Sequence, residues 1–449
     1  MVDDALTAGR ERLSTRVVAA YSGLTLPMAA LGLPIAVYLP VFYSQDLGLS
    51  LAVVGGIFTL SKVWDLLTDP VMGLLVDRYQ TRWGRRKHWI VLSVPILLLS
   101  TWMVFMPNPA WVSPAYLLIW MIILYIGFTL LAITHQSWGA ELTFNYDERS
   151  RLYGWREVMI IVGIVVILAL PAYMEQAVEH ATNGIKVASM GWFLIVLLPI
   201  TTILIVKVVP DHPGPPRNPI EWRKAISLLL RNTVLRRLLL ADMLSGLGTG
   251  VTGSLHIFLA SFVFALPQYA SGALLAYFVA GFFGMPLWLR LAWQVGKHTA
   301  LIIALVYGAT VLLTAFFLAG PGKAVTLWVF VVVYGIAFGA APMLLRAMMA
   351  DLTDMDELEM GEKRSGLFFA LLTTTNKIGS AVSVGVAYLA LELFFGFDPG
   401  AENTPGAING VLVVYSFGAI IPFFLAGLVM YGYPLTREKH KEILDALGS

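Results

Sequence analysis

The chain contains no cysteine among its 449 residues, and only 13% of its residues are charged. The missing cysteine excludes disulfides and thiolate metal sites. The histidines show no HExxH spacing, and the sequence contains no dinucleotide fingerprint, P-loop or nucleophile elbow. Soluble domains usually carry about 25% charged residues. Because 58% of this chain is hydrophobic, we predict an integral membrane protein. The lack of a nucleophile–base or metal constellation predicts that it is not an enzyme and needs no cofactor.

Twelve apolar segments reach the length of about 20 residues that a helix needs to cross the hydrocarbon core. They cover roughly 18–44, 51–76, 88–106, 112–138, 152–173, 188–209, 235–263, 268–294, 299–320, 324–350, 364–396 and 408–432. The pattern predicts an all-α membrane protein. A polar, Pro-rich stretch over 210–233 lies near the midpoint. We therefore expect a six-helix bundle over 1–209, a cytoplasmic central loop, and a second bundle with a tail over 234–449.

Lysine and arginine are concentrated in alternate loops. The loop after the second segment holds Arg78, Arg82, Arg85, Arg86 and Lys87, whereas the loops of the opposite side hold only Lys186 and Lys323. By the positive-inside rule, both termini and the central loop are expected on the cytoplasmic side. The first apolar run is too long for a signal-peptide core, so we expect it to remain as the first span.

Three charges interrupt the second apolar segment. On a helix, Lys62, Asp65 and Asp69 share one face, because they stand at positions i, i+3 and i+7. Each costs roughly 2.5–3.5 kcal/mol at membrane depth, so a function is expected. The two carboxylates, with the hydroxyl of Thr68 nearby, can chelate Na⁺ or share a proton. The alternative is an internal ion pair with Lys62 that only packs helices.

Lys377 lies inside the eleventh apolar segment. A buried ammonium needs a carboxylate partner, and Asp65 or Asp69 can supply one. A cation or proton would then compete with Lys377 for these acids, which is one physical route to coupling. The alternative is a lysine that extends to the membrane surface.

Polar residues at the end of segment 4 and the start of segment 5 are candidates for substrate contacts. His135 and Gln136 offer hydrogen bonds, Trp138 offers a stacking face, and Arg156 offers a bidentate donor. For His135 a packing role is equally compatible with the sequence. Arg156 has the alternative of pairing with Glu157.

Charged residues at the cytoplasmic ends of the segments predict a conformational latch. Asp77 precedes Arg85 and Arg86, and Asp351 and Asp354 follow the tenth segment. Such pairs can form in one conformation and break in another. The alternative for the basic residues is that they only set the orientation of the chain in the membrane. The alternative for the acidic residues is a solvated turn.

Three stretches carry a family resemblance. WDLLTDPVMGLLVDRYQTRWGRRKHW, GAELTFNYDERSRLYGWRE and DMDELEMGEKRSGLFFALLTTTNKIGSA resemble the signatures of the glycoside–pentoside–hexuronide:cation symporters. These are the melibiose-carrier family within the major facilitator superfamily. The resemblance implies twelve helices in two pseudo-symmetric six-helix bundles. It also implies alternating access driven by Na⁺ or H⁺, an ion that is transported and is not a cofactor.

The resemblance also assigns roles to individual residues. Asp65 and Asp69 fall on the family's cation-site aspartates, and Thr129 falls on its threonine ligand. Lys62 occupies the family's basic position on that helix. Lys377 matches the lysine coupled to the cation site, while Arg156 resembles the cavity arginine of segment 5. We also expect Lys377 among the substrate contacts. The implied partners are a small-molecule substrate and the lipid bilayer. A monomer in a bacterial inner membrane, without nucleic acid, is expected.

Two departures from the sugar carriers leave the substrate open. Ala29 stands where those carriers have one sugar-binding aspartate, and a second such aspartate falls near Ala132. At the cation site Thr68 replaces a frequent asparagine, which leaves both Na⁺ and H⁺ as candidate ions. A sugar, a glycoside or another small organic solute is the first expectation. An amphiphilic anion such as a lysolipid, met by Arg156 and Lys377, is the alternative. A non-transporting sensor or assembly factor with the same fold is a second alternative.

Overall fold

The structure is a computed structural model that describes residues 12–79, 81–143, 146–179, 181–211, 232–360 and 365–447. Within these ranges twelve helices are long and apolar enough to cross a membrane. The helices are α1 Thr15–Asp46, α2 Leu51–Arg78, α3 Lys87–Phe105, α4 Pro114–Leu142, α5 Tyr146–Ala177, α6 Asn183–Val208, α7 Thr233–Phe258, α8 Ala270–Val295, α9 Lys297–Leu318, α10 in two parts (Ala324–Ile336 and Ala340–Met360), α11 Ser365–Phe395, α12 Pro405–Met430 and a short α13 Arg437–Leu447. The all-α class and the twelve predicted segments are confirmed.

Several helices begin at a side-chain cap that hydropathy alone does not detect. Thr182 and Thr404 accept hydrogen bonds from the backbone N–H groups of the first turns of α6 and α12. A capped start satisfies one of the four N–H groups that a helix leaves unpaired. Both helices therefore begin a few residues before the predicted segments. Most of the predicted central loop, residues 212–231, lies outside the described residues.

Helix α1 is irregular along its second half. It passes through two π turns, Pro34–Tyr38 and Phe42–Asp46. Proline has no N–H to donate to the preceding turn, so Pro34 and Pro40 loosen the α-helical ladder there. A π turn also extends α7, over Leu259–Val263. Both α1 and α7 thus end in a π turn. Because they are the first helices of the two predicted halves, this similarity supports an internal repeat.

Contacts divide the chain into two units, Met1–Leu49 with Leu60–Pro219 and Ser50–Thr59 with Ile220–Ser449. The division differs from the predicted one at residues 50–59. The reason is visible in the hydrogen bonds of that stretch. Thr59 donates its hydroxyl to the carbonyl of Ala381 at 3.0 Å, and the N–H of Ala52 donates to Glu392 at 2.6 Å. The start of α2 therefore packs on α11.

The same helix pairs recur inside each unit. In the first unit α1 packs against α5, and α3 packs against both α4 and α6. In the second unit α7 packs against α11, and α9 packs against both α10 and α12. Every pair of the first unit thus has a counterpart six helices later. This recurrence is the pattern that two related halves of a transporter produce.

Candidate functional site

The centre of the first unit holds a buried carboxylate that meets a hydroxyl from another helix. Asp65 in α2 is 5% exposed and Thr129 in α4 is 2% exposed. The Thr129 hydroxyl donates a hydrogen bond to Oδ1 of Asp65. Helix α2 is continuous through this region, so Lys62 and Asp69 lie on the same face as Asp65, as the spacing predicts. The structure therefore brings Asp65 and Thr129 together across 64 residues of sequence.

The chemistry of this group suits a hard cation or a proton. Carboxylate and hydroxyl oxygens are the ligands that such ions take. Thr68 donates its hydroxyl to the backbone carbonyl of Asp65 at 3.1 Å, which leaves its oxygen able to accept or coordinate. Lys62 and Asp69, on the same face of α2 as Asp65, are half-buried. The described residues contain no group of three or more His, Cys, Asp or Glu side chains that could hold a metal ion together.

A buried ion-pair cluster lies where α3 begins. Arg85 and Arg86 are fully buried, and both guanidinium groups pair with Glu141 at the end of α4. Arg86 makes two hydrogen bonds to it, at 3.0 and 2.6 Å. Asp211 accepts from the backbone N–H groups of Arg86 and Lys87, and thereby caps α3. Residue Asp77, predicted as part of this latch, has a side chain outside the described residues.

The connection before α3 needs a glycine. Gly84 has a φ of +115°, and a Cβ built there would overlap the Asp211 carboxylate. Glycine alone takes this backbone conformation without steric cost. It therefore allows Asp211 to approach the first turn of α3 closely enough to cap it.

The second unit contains the corresponding pair. Lys297, the first residue of α9, places its Nζ 2.6 and 2.7 Å from the two carboxylate oxygens of Asp351 in α10. His440 in α13 lies 3.0 Å from Asp354. Burial raises the pKa of Tyr433 above its ordinary value, so the phenol stays neutral near Asp351. The predicted latch residues Asp351 and Asp354 thus have basic partners within their own unit.

Two of the predicted substrate residues have structural partners. His135 is fully buried, donates from Nε2 to the carbonyl of Tyr21 at 2.9 Å and stacks on the Tyr21 ring. Trp138 is 1% exposed, and its indole N–H donates to the carbonyl of Pro210 at 2.9 Å. These contacts support the packing alternative for His135 and an anchoring role for Trp138. Gln136, between them, is exposed.

Arg156 contacts several groups of the first unit. It pairs with Glu157 at 3.1 Å, and its guanidinium lies 6.0 Å from the centre of the Tyr153 ring. Its charge also acts on Tyr21 and His135. The Nε atom is buried without a hydrogen-bond partner among the described residues. Arg156 therefore has a donor left for another acceptor, which keeps the predicted substrate role open.

Sequence reasoning missed one buried acid. Asp242 in α7 is 4% exposed, and Asn376 and Thr375 of α11 donate to it. It is an isolated acid in an apolar segment, so the signal that identifies Asp65 was available for it as well. Lys377, predicted as the coupling lysine, is half-buried in the same helix. The sequence does not mark the ion-pair and capping partners of the latch residues in this way, because each lies in a polar part of the chain. These partners are Glu141, Asp211, Lys297 and His440.

The chain matches a known protein family over most of its length. The family model described as MFS/sugar transport protein matches residues 21–437. The chain belongs to this family. The match confirms the predicted resemblance to symporters of the major facilitator superfamily. Its description is that of a transporter, which confirms that the chain is not an enzyme.

Individual relatives are distant but extend over most of the chain. The isoprimeverose transporter of Lactiplantibacillus pentosus is 23% identical, with 92% of this chain and 87% of that protein covered. The sodium-dependent lysophosphatidylcholine symporter 1 of Gallus gallus is 22% identical, with 98% and 90% covered. A crystal structure of a D-xylose–proton symporter has a TM-score of 0.64 at 16% identity and covers 94% of this chain and 97% of its own. The last similarity confirms the fold.

Proposed function

We propose that this transporter is a symporter that couples a small organic solute to a monovalent cation bound at Asp65, Asp69, Thr129 and Thr68. The observation that carries the proposal is the hydrogen bond from Thr129 to the buried Asp65 carboxylate. A charge at this depth is costly unless it is paired or used. Binding of Na⁺ or H⁺ at Asp65 would neutralise that charge, and the neutralisation would be available to drive a conformational change.

A sugar or a glycoside is the proposed substrate class. The relatives named above include an isoprimeverose transporter, which supports this class. Arg156 is the proposed contact to substrate hydroxyl or carboxylate oxygens, because its buried Nε has no other partner among the described residues. Lys377 is proposed as the residue that links the substrate to the coupling ion.

A lysolipid-like anion is the second candidate. It is favoured by Ala29, which stands where the sugar carriers have an aspartate. The Ala29 methyl lies 3.3 Å from the position that a methyl on Gly163 of α5 would take. Ala29 therefore lies at a close contact between α1 and α5, and it brings no carboxylate to the place where the sugar carriers have one. A relative from Gallus gallus is named as a lysophosphatidylcholine symporter.

The remaining parts of the proposal concern orientation and switching. The excess of lysine and arginine in alternate loops supports cytoplasmic termini in a bacterial inner membrane. We treat the protein as a monomer that needs no nucleic acid. The buried Arg86–Glu141 pair and the half-buried Lys297–Asp351 pair are proposed to hold each unit at its cytoplasmic end, and to loosen when access alternates.

The test is a thermal-shift screen of the purified protein with sugars, glycosides, organic anions and lysolipids, each with and without Na⁺ and at two pH values. A ligand selective for the folded state raises the melting temperature. We expect one class to do so more strongly with the coupling ion. Uptake into proteoliposomes then has to follow the same class and the same ion. A protein that shows no uptake of any class under an ion gradient would not be a symporter.

The matched variants are Asp65→Asn and Asp398→Asn. Asp65→Asn removes the buried charge and is expected to abolish the ion dependence of both the thermal shift and the uptake. Asp398 is exposed in the connection before α12, so its substitution is expected to change neither. Unchanged ion dependence in Asp65→Asn would disprove the proposed cation site.

A further inference from the structure

We propose that Asp242 is a proton-binding site in the second unit, separate from the residues around Asp65. Asp242 lies in α7, a helix long and apolar enough to cross a membrane, and is 4% exposed. A charge at this depth costs roughly 2.5–3.5 kcal/mol on insertion scales, so an acid placed there generally serves a function. The proposed cation site does not use it, since Asp65 and Thr129 belong to the other unit.

Both oxygens of the Asp242 carboxyl face donors on α11. The Thr375 hydroxyl lies 3.2 Å from Oδ2, and Nδ2 of Asn376 lies 3.3 Å from Oδ1. Arg346 in α10 acts on the same carboxyl electrostatically. These three groups favour the ionised form, whereas burial favours the neutral form. Burial thus opposes the charge that the three groups stabilise, so neither protonation state of Asp242 is favoured by every contact.

The hydrogen bonds around Asp242 can serve both protonation states. Thr375 has a single hydroxyl hydrogen, and besides Asp242 it has the carbonyls of Leu372 at 3.0 Å and Leu371 at 3.2 Å as acceptors. When Asp242 is ionised, Thr375 donates to it. When Asp242 is protonated, its O–H donates to the Thr375 oxygen, and the Thr375 hydrogen turns to a backbone carbonyl. Neither state leaves the Asp242–Thr375 pair without a hydrogen bond.

The hydrogen-bond donors near Asp242 favour a proton over a metal cation. The ionisable side chains on the helices packed against α7 are Tyr277 and Arg290 in α8, Tyr334, Arg346 and the acidic run from Asp351 in α10, Lys377, Tyr388 and Glu392 in α11, and Tyr415 in α12. Arg346 disfavours any added positive charge, a proton included, so the discrimination comes from Asn376, whose amide N–H donates to the carboxylate. A metal ion would have to displace that donor. A proton instead adds to one oxygen and uses the existing contacts.

The site lies beside a close contact between two helices. A methyl on Gly379 of α11 would overlap the carbonyl of Met243, and a methyl on Gly246 of α7 would lie 3.3 Å from the carbonyl of Asn376. Small residues let the two backbones approach this closely. Gain or loss of a proton at Asp242 therefore changes the hydrogen bonds across a tightly packed interface. The inference goes beyond the proposed symport and does not depend on the substrate.

Infrared spectroscopy of the purified protein tests the proposal without transport. Acidification of the wild type should produce the C=O stretching band of a protonated carboxyl in an apolar environment. We expect Asp242→Asn to lose this band and Asp398→Asn to retain it. In Thr375→Val the protonated Asp242 loses its acceptor, so the band is expected to persist at a higher wavenumber. Circular dichroism and the melting temperature establish that each variant is folded.

The outcomes separate this site from the proposed function. If Asp242→Asn shows the same band as the wild type, Asp242 is not the proton site, and a band that does not move in Thr375→Val would refute Thr375 as the acceptor of its proton. A protein that transports no sugar, glycoside or lysolipid would refute the symport proposal and leave the infrared result standing. Conversely, ion-coupled uptake with no Asp242 band would support symport and overturn this inference.

Discussion

Arg86 donates two hydrogen bonds to Glu141, from Nε to Oε2 at 3.0 Å and from Nη2 to Oε1 at 2.6 Å, while its own side chain is fully buried. The pair joins the start of α3 to the end of α4. Lys297 and Asp351 join the start of α9 to α10 in the same way. The Arg86 guanidinium is buried away from water, so it depends on the Glu141 carboxylate to balance its charge. Substitution of Glu141 therefore tests the contribution of this pair.

Glu141→Gln is expected to destabilise the protein strongly, because two buried guanidinium groups would lose their acid. Removal of one partner of a buried ion pair costs about 3–5 kcal/mol. The measurement is the melting temperature of the detergent-solubilised protein. Glu442→Gln is the control, since the Lys439–Glu442 pair is exposed and should contribute little. Equal melting temperatures for both variants would contradict the prediction.

Thr129→Val is expected to weaken binding of Na⁺, because the metal ion loses an oxygen ligand, and to strengthen binding of a proton, because the ionised Asp65 loses a donor that favours it. Hydrogen bonds to charged groups contribute about 1.5–3 kcal/mol, which corresponds to a roughly 10- to 100-fold change of affinity. The measurement is the ion concentration that gives half-maximal uptake. Thr129→Ser keeps the hydroxyl and should stay near the wild type. A Val variant that behaves like the Ser variant would exclude Thr129 as a ligand.

Trp138→Phe separates anchoring from substrate binding. It removes the indole donor to the Pro210 carbonyl, so we expect a loss of about 1 kcal/mol in the free energy of unfolding. The KM for the substrate should not change, since Trp138 is 1% exposed. A raised KM at unchanged stability would instead place Trp138 in the substrate site, as the sequence first suggested.

Arg156→Lys is expected to raise the KM with little change in stability, because lysine keeps the charge and loses the planar fork of donors. Glu157→Gln is the matched control. It removes the partner of Arg156 at a site whose side chain is 58% exposed. Similar and small effects of both substitutions on KM would mean that Arg156 only pairs with Glu157.

Gly163→Ala is expected to destabilise the contact between α1 and α5. The added methyl would lie 2.5 Å from the carbonyl of Leu26, which is backbone and can move only with its helix. Overpacking of this kind costs about 1–3 kcal/mol. Gly154→Ala, in the same helix with open space around it, should be neutral or stabilising, because alanine favours helix. A higher melting temperature of Gly163→Ala than of Gly154→Ala would refute this account.

The twelve spans and the shared face of Lys62, Asp65 and Asp69 follow from the amino-acid sequence alone. Lipid demands long apolar helices, and helical periodicity then decides which residues share a face. The start of α6 is harder to predict, because a charged residue such as Lys186 is typical of a loop between spans, and in the structure it lies inside the helix. In the structure it is buried and paired with Glu175 at 2.8 Å.

Which charged groups meet depends on the packing of the helices and is visible only in the folded protein. Arg86 and Glu141 are 55 residues apart, and Lys297 and Asp351 are 54 apart. No local periodicity relates such positions, since their distance depends on how whole helices pack. The same holds for Asp242, whose donors Thr375 and Asn376 come from a helix more than 130 residues later. The spacing of charges along one helix was therefore predictable, whereas their partners on other helices required the packed fold.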